Sequence, residues 1–233
     1  WIYVDSPTGW LGGQSGNLWI SKDQGETWEQ HNYGRNLMGS GDSYTAVTKD
    51  GTIYYTDLYL ITSTIDTSLD GGDTWLRNPL ATTTWIGDRQ WLNVGPTVGA
   101  IPGAKAETVY MTYNDINQGL IIQRLQYGRL GYFWTQGNRN LPVTTEVGSR
   151  DAFCVDQNDG TIYLPNKESG GIAVYVSTNG ADSFTRYNVL SSDEDVQNIF
   201  VVGDCDTGGN VYLTWSTQAH IYMGSSADKG QTW

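Results

Sequence analysis

The stretch WIGDRQW at residues 85–91 sets Asp88, Arg89 and Trp91 close together, immediately before an expected inner strand. An arginine fork takes a carboxylate or sulfate through two parallel bonds, a nearby carboxyl can protonate a glycosidic oxygen, and an indole can stack on a sugar ring. The pairing returns in VGSRDAF at 147–153 as Arg150 and Asp151. Tyr113 and Asp115 close a strand-like run with Asn114 between them, and they add a phenol and another carboxyl. Asp42 and the acids Asp193, Glu194 and Asp195 stand at similar places elsewhere in the chain. Each residue also has a plainer use. An aspartate entering a strand caps backbone N–H groups, and an arginine beside it can tie one sheet to the next. Both uses stay open at this level.

Other chemistry is excluded more firmly. The only histidines are His31 and His220, and the only cysteines, Cys154 and Cys205, are not in CxxC spacing. A zinc site or a histidine-based triad therefore has no support, and no metal or cofactor is implied. With 13 Lys and Arg against 25 Asp and Glu, the net charge of -12 argues against nucleic acid as a partner. No run approaches the apolar length that inserts into a membrane, and the mean hydropathy is -0.42. The chain opens on Trp1 within a strand-like run, so no signal peptide is expected at its start.

Strands must position these candidates. TIYYT at 52–56, TVYMTY at 108–113, TIYLP at 161–165 and NVYLTW at 210–215 each set a tyrosine after a branched residue, about fifty residues apart. Glycine-containing turns precede three of them. A period of that size in an all-strand chain points to an all-β fold of the β-propeller type, built from four-stranded antiparallel blades. Five blades are expected, at about 1–33, 42–80, 91–138, 151–187 and 197–233, forming one domain. YTAVT at 44–48, AFCV at 152–155 and NIFVV at 198–202 supply inner first strands. Five such blades leave a ring open, so the reading is of a propeller incomplete at both ends, part of six to eight blades. Further blades or another chain would complete it.

A second motif keeps the same period. SKDQGETW at 21–28 returns as SLDGGDTW at 68–75 and SADKGQTW at 226–233, with a weaker copy, STNGADSF, at 177–184. The shared positions are Ser21, Asp23, Gly25 and Trp28, then Ser68, Asp70, Gly72 and Trp75, and finally Ser226, Asp228, Gly230 and Trp233. The weak copy keeps Ser177, has Asn179 for the aspartate and ends on Phe184. RLQYGRLGYFW at 124–134 marks the missing repeat without its serine and aspartate. Such a segment closes a hairpin: the aspartate accepts turn N–H bonds, the glycine takes a positive φ, and the tryptophan plugs between sheets.

The spacing S-x-D-x-G-x-T-W resembles the Asp-box, or BNR repeat, of the sialidase-like superfamily, and the resemblance covers essentially the whole chain. It implies a β-propeller whose boxes lie on the face opposite the ligand site. The site would then take the connections from fourth to first strands and from second to third strands. The superfamily's sialidases use three arginines on the substrate carboxylate, a tyrosine–glutamate nucleophile pair and an aspartate acid/base. Here two arginines match a plausible position, the early Arg-Ile-Pro segment is missing, and no tyrosine–glutamate pair can be assigned. The low charge, the simple loops and the missing catalytic set favour a secreted or cell-surface sialidase-like propeller that binds glycan or protein ligands without catalysis. A glycoside hydrolase acting on an acidic sugar, or a structural module of a larger extracellular assembly, are the alternatives. Cys154 and Cys205 sit in or after neighbouring inner strands, and a bridge between them would indicate an oxidising setting.

Overall fold

A computed structural model describes residues 2–5, 17–31, 42–59, 62–78, 81–82, 87–99, 106–115, 119–124, 139–140, 152–168, 171–191, 196 and 201–233. Among these, every regular element is a strand, and no helix is long and apolar enough to cross a membrane. The first sheet holds β1 (Ile2–Asp5), β2 (Asn17–Ile20) and β3 (Glu29–His31). The second holds β4 (Ser43–Val47), β5 (Ile53–Tyr59), β6 (Thr62–Ser68) and β7 (Leu76–Asn78). The third holds β8 (Gly87–Pro96), β9 (Glu107–Asp115), β10 (Gly119–Arg124) and β11 (Arg139–Asn140). The fourth holds β12 (Cys154–Val155), β13 (Ile162–Glu168), β14 (Gly171–Ser177) and β15 (Thr185–Ser191). The fifth holds β16 (Val202–Cys205), β17 (Val211–Ser216) and β18 (Ile221–Ser226).

Each sheet is an antiparallel meander in chain order. The strands β4, β8, β12 and β16 lie beside one another in succession, so the sheets share an inner edge and the arrangement is propeller-like. The core lies between the sheets, because a strand alternates its side chains between two faces. In β9, Val109, Met111 and Tyr113 pack toward the second sheet with Tyr54 and Ile65. Tyr110 of the same strand packs the other way, with Phe153, Ile162 and Leu164. Burial on both faces explains why the second strands read as near-continuous apolar and aromatic runs.

The sequence expectation for β8 shifts. The strand begins at Gly87 rather than at residue 91, so Asp88 and Arg89 belong to the strand itself. The inner strand expected over 198–202 is found at Val202–Cys205, and residues 197–200 lie outside the described ones. Nearly all of the degenerate repeat at 124–134 also lies outside them.

The serine–aspartate turns share one bonding scheme. The Gly72 amide donates to Ser68 Oγ at 2.8 Å, and Ser68 Oγ donates to Asp70 Oδ1 at 2.8 Å. The Thr74 amide donates to Asp70 at 2.9 Å, and the Trp75 indole N–H donates to the Gly72 carbonyl at 2.9 Å. The same bonds recur around Ser21 and Asp23 and around Ser226 and Asp228. In the weak copy the Asn179 amide donates to Ser183 Oγ at 2.8 Å, where a carboxylate would accept. Bonds from Thr27, Thr74 and Thr232, reinforced by the box serines, hold Asp23, Asp70 and Asp228 down at about 2.

Two successive residues of each turn have positive φ, as in a type I′ hairpin: Gln24 and Gly25, Gly71 and Gly72, Gly180 and Ala181, Lys229 and Gly230. Gly72 is the most confined, since a Cβ there would stand 2.1 Å from Ile20 Cδ1 of the first sheet. Gly72→Ala is expected to cost about 2 kcal/mol, from backbone strain plus overpacking. Gly51→Ala, at φ +84 with nothing within 4 Å, should register the backbone part alone, about 1 kcal/mol. Urea unfolding of both variants separates the two costs.

On this end of the molecule each boundary between sheets carries an ion pair. Lys22 meets Asp73 between the first and second sheets, and Lys49 meets Glu107 between the second and third. Arg124 meets Asp182 between the third and fourth, and Lys229 meets Asp159 between the fifth and fourth. Most of these charges are exposed, so the pairs align neighbouring turns more than they stabilise the fold.

Candidate functional site

The rim opposite the serine–aspartate turns is where β8 enters and β9 leaves. Asp88 pairs with Asn114 and Trp91 with Thr112, so three steps on β8 match two on β9 and one residue is extra. Arg89 takes the left-handed conformation that this bulge requires, at φ 54, a strain of order 1 kcal/mol for a residue with a Cβ. Bulges of this kind re-aim side chains at strand ends and gather beside functional sites.

Gln90 pins the bulge to the second sheet. Its side chain is buried, its Nε2 donates to the Asp42 carbonyl, and its Oε1 accepts from Ser63 Oγ at 3.4 Å. The next residue, Trp91, is half-buried and meets Tyr44 of β4 edge to face, with ring centroids 4.9 Å apart. Two inner strands thus bring a pair of aromatic rings together near the entry of the Arg89 strand. The Asn93 side chain continues the seam, donating to the Phe153 carbonyl at 2.7 Å.

The other candidates are placed as follows. Tyr113 is fully buried and accepts a 2.9 Å bond from Gln123 Nε2, so it presents no surface to a ligand. Asp115 is also buried, opposite Gly87 and Gly119 at the end of β9. Directly opposed residues share a face, so Asp88 lies on the face of Asn114 while Asp115 lies on the other face of the sheet. The two carboxylates are not a facing pair. Arg150 and Asp151 lie outside the described residues.

Cys154 and Cys205 form a disulfide between β12 and β16, with Cα atoms 5.9 Å apart. Cys154, Asp204 and Cys205 make the only cluster with metal-ligating geometry among the described residues. The disulfide occupies both of its sulfurs, so the cluster is a poor metal site.

Two polar clusters outside β8 and β9 escape a reading based on those strands, one of them with Glu168 at the rim end of β13. Tyr175 Oη donates to Glu168, which also accepts from Arg186 Nε at 3.1 Å. Burial works to raise Glu168, but bonds from Arg186 and Tyr175 outweigh it and leave its carboxyl below the usual range. This is a tyrosine–glutamate pair, but it leans on β15, the outermost strand of its sheet. In the second sheet Asp66 is buried opposite Tyr55, with Arg77 Nε 3.5 Å away. Burial pushes Asp66 up to about 7, with Arg77 opposing. One sequence signal links the clusters: Arg77 follows Ser68 at the offset by which Arg186 follows Ser177.

No family model and no curated protein matches this chain. Among solved structures, a Hadza microbial sialidase is similar over 93% of this chain and 46% of its own, at TM-score 0.58 and 17% identity. A polysaccharide lyase described as an ulvan lyase is similar over 95% of this chain and 61% of its own, at TM-score 0.53 and 14% identity, in a structure bound to -[GlcA(1-4)Rha3S]-. The SapL1 lectin in complex with alpha methyl fucoside covers 92% of this chain and 73% of its own, at TM-score 0.50 and 11% identity. The chain thus spans about half the length of the sialidase. At these identities the likeness is one of fold, an all-β propeller-like fold shared with carbohydrate-active enzymes and a lectin.

Proposed function

We propose that the chain is the greater part of an Asp-box β-propeller of six to eight blades, secreted or at the cell surface, that binds a glycan at the rim without catalysis. The five sheets are its blades, within one domain over residues 1–233. The observation that carries the reading is the bulge at Arg89, whose left-handed backbone lies two residues before Trp91, the residue whose ring meets Tyr44. A cation with an aromatic surface suits an acidic sugar, the guanidinium taking a carboxylate or sulfate and the ring taking the sugar face. Arg150 and Asp151 are proposed to extend the same rim. Glycosidases need two carboxyls flanking one bond. Asp88 and Asp115 stand on opposite faces of their sheet, which favours binding over hydrolysis. The disulfide suits an oxidising, extracellular compartment. The solved neighbours described as a lectin with methyl fucoside and a lyase with a uronate-containing ligand support a carbohydrate as the ligand class.

The test is calorimetric titration with acidic and neutral oligosaccharides, alongside a reducing-end assay for cleavage. Acidic oligosaccharides are expected to bind and remain intact. Arg89→Ala should weaken them by at least tenfold, equivalent to about 1.4 kcal/mol, while the protein stays folded by circular dichroism. Binding untouched by Arg89→Ala, or release of reducing ends, would overturn the reading.

A further inference from the structure

The third and fourth sheets meet along a seam whose rim end is polar on both walls. Tyr110 and Ile122 of the third sheet pack with Leu164 and Tyr175 of the fourth, and half-buried Trp91 and Leu120 lie against the same cluster. Directly opposed residues share a face of a sheet. Asp88 is opposed to Asn114 and Asn114 to Leu120, so all three belong to the face that looks toward the fourth sheet. On the other wall Tyr175 is opposed to Leu164 and to Arg186, and alternation along β13 puts Glu168 on that same face. Asn188 joins it, because Ala173 of the shared cluster is its opposite. Trp91 links this seam to the rim site, since its ring also meets Tyr44.

The fourth-sheet wall is organised without a ligand. Glu168 accepts from Tyr175 Oη and from Arg186, through Nε at 3.1 Å and through Nη2, while Arg186 Nη1 donates to Asn188 Oδ1 at 2.7 Å. Held by these donors, Glu168 keeps its charge and has no proton to give a glycosidic oxygen. The Glu168 side chain is only 12% exposed and that of Arg186 is 44% exposed, so the outer edge of the guanidinium meets solvent. The two charges cancel, and the groups lose little freedom when something binds. A second acidic group would meet the Glu168 carboxylate here. A sugar hydroxyl, which donates and accepts at once, fits a carboxylate, a guanidinium and an amide held side by side. On the facing wall Thr112 Oγ1 is buried opposite Trp91 and makes no hydrogen bond among the described residues. Leu120 and Trp91 supply apolar surface for the face of a sugar ring.

We propose that this seam is a second subsite of the rim, taking a neutral sugar residue joined to the acidic one at Arg89. Arg186 and Asn188 bond its hydroxyls, Leu120 meets its face, and Trp91 stands between the two subsites. The proposal rests on the reading of the rim as a glycan site, and it makes the ligand an oligosaccharide of mixed acidic and neutral residues.

Calorimetric titration with three probes tests it: glucuronate, a hyaluronan tetrasaccharide in which uronate alternates with a neutral N-acetylhexosamine, and tetragalacturonate, which is acidic throughout. The hyaluronan tetrasaccharide is expected to bind about tenfold more tightly than either of the others. That preference should vanish in Arg186→Ala and fall about threefold in Asn188→Ala, a change at an exposed residue. Circular dichroism checks that both variants are folded, and a purely structural role for Arg186 would weaken all three probes together and keep the preference. Arg89→Ala should weaken every probe. If it weakens none, the rim reading fails and the subsite with it. If it weakens them all and the preference survives Arg186→Ala and Asn188→Ala, the subsite alone is overturned. Equal affinity for glucuronate and the hyaluronan tetrasaccharide, tighter binding of tetragalacturonate, or no binding of any probe would overturn it as well.

Discussion

Replacing Cys154 and Cys205 together by alanine is expected to cost about 4 kcal/mol, the chain-entropy value for a cross-link closing a loop of this size. The two cysteines are 51 residues apart in sequence, and their bond joins the inner strands of the fourth and fifth sheets. Without it, the contacts left to the fifth sheet include one apolar boundary, in which Val174, Val176, Val211 and Leu213 pack together, and the Lys229–Asp159 pair at its turn. They also include hydrogen bonds from Gly203 N to the Ala152 carbonyl and from Asn158 Nδ2 to the Thr207 carbonyl. The Cys154 side chain is itself buried in that boundary, so the double variant also loses some packing. The loss should be local first, because sheets open as separate cooperative units once the bond joining them is gone. Urea unfolding of the variant should therefore split into two transitions, the earlier one reporting on Trp215 and Trp233 of the fifth sheet. Dithiothreitol added to the unaltered protein should reproduce it. A single unshifted transition would show that the bond contributes nothing to joining the sheets.

Much of this architecture is legible in the sequence, and the reason is repetition. Tyr54, Tyr110, Tyr163 and Tyr212 mark second strands because burial between sheets selects apolar runs ended by turn glycines. Ser68, Asp70, Gly72 and Trp75 mark the turn because each makes a bond within eight residues, Gly72 through its backbone and the others through their side chains. The site is less legible. Nothing local in WIGDRQW announces a bulge, since the extra residue on β8 exists only relative to β9. The anchoring of Gln90 on the Asp42 carbonyl likewise spans two sheets. Tyr113 resembles a rim phenol in sequence, yet the alternation along β9 turns it into the core with Met111. Glu168 and Tyr175 stand seven residues apart on paired strands, and only the hairpin between them makes a pair. Local chemistry is written locally; contacts across sheets are not.

Asp66→Asn is expected to stabilise the protein at pH 8 and to leave it nearly unchanged at pH 4. Asp66 is buried between the first two sheets, and burial lifts it from 3.8 to about 7, with Arg77 pulling the other way. At pH below about 4 the carboxyl is protonated in both folded and unfolded chains, so it carries no penalty. As pH climbs from 4 to 7 the unfolded chain releases its proton while the folded one retains it, and stability falls. Above pH 7 both forms are ionised and the loss is constant, at most about 4 kcal/mol for a shift of this size. Asparagine keeps the shape and cannot ionise, so the falling limb should vanish. Arg77 then faces an amide instead of a carboxylate, which offsets part of the gain and leaves about 2 kcal/mol at pH 8. The turn aspartates act with the opposite sign. Asp23, Asp70 and Asp228 are held at about 2, so their contribution is present above about pH 4 and is lost as pH falls through 2. Stability should therefore peak on the acid side of neutrality in the unaltered protein, and the peak should broaden into a plateau toward pH 8 in Asp66→Asn. Thermal unfolding of both proteins across pH 2 to 8 measures the two limbs separately. An alkaline limb that persists in Asp66→Asn would assign it to another group, whereas its loss with the acid limb intact would identify Asp66 as the buried charge that limits stability at neutral pH.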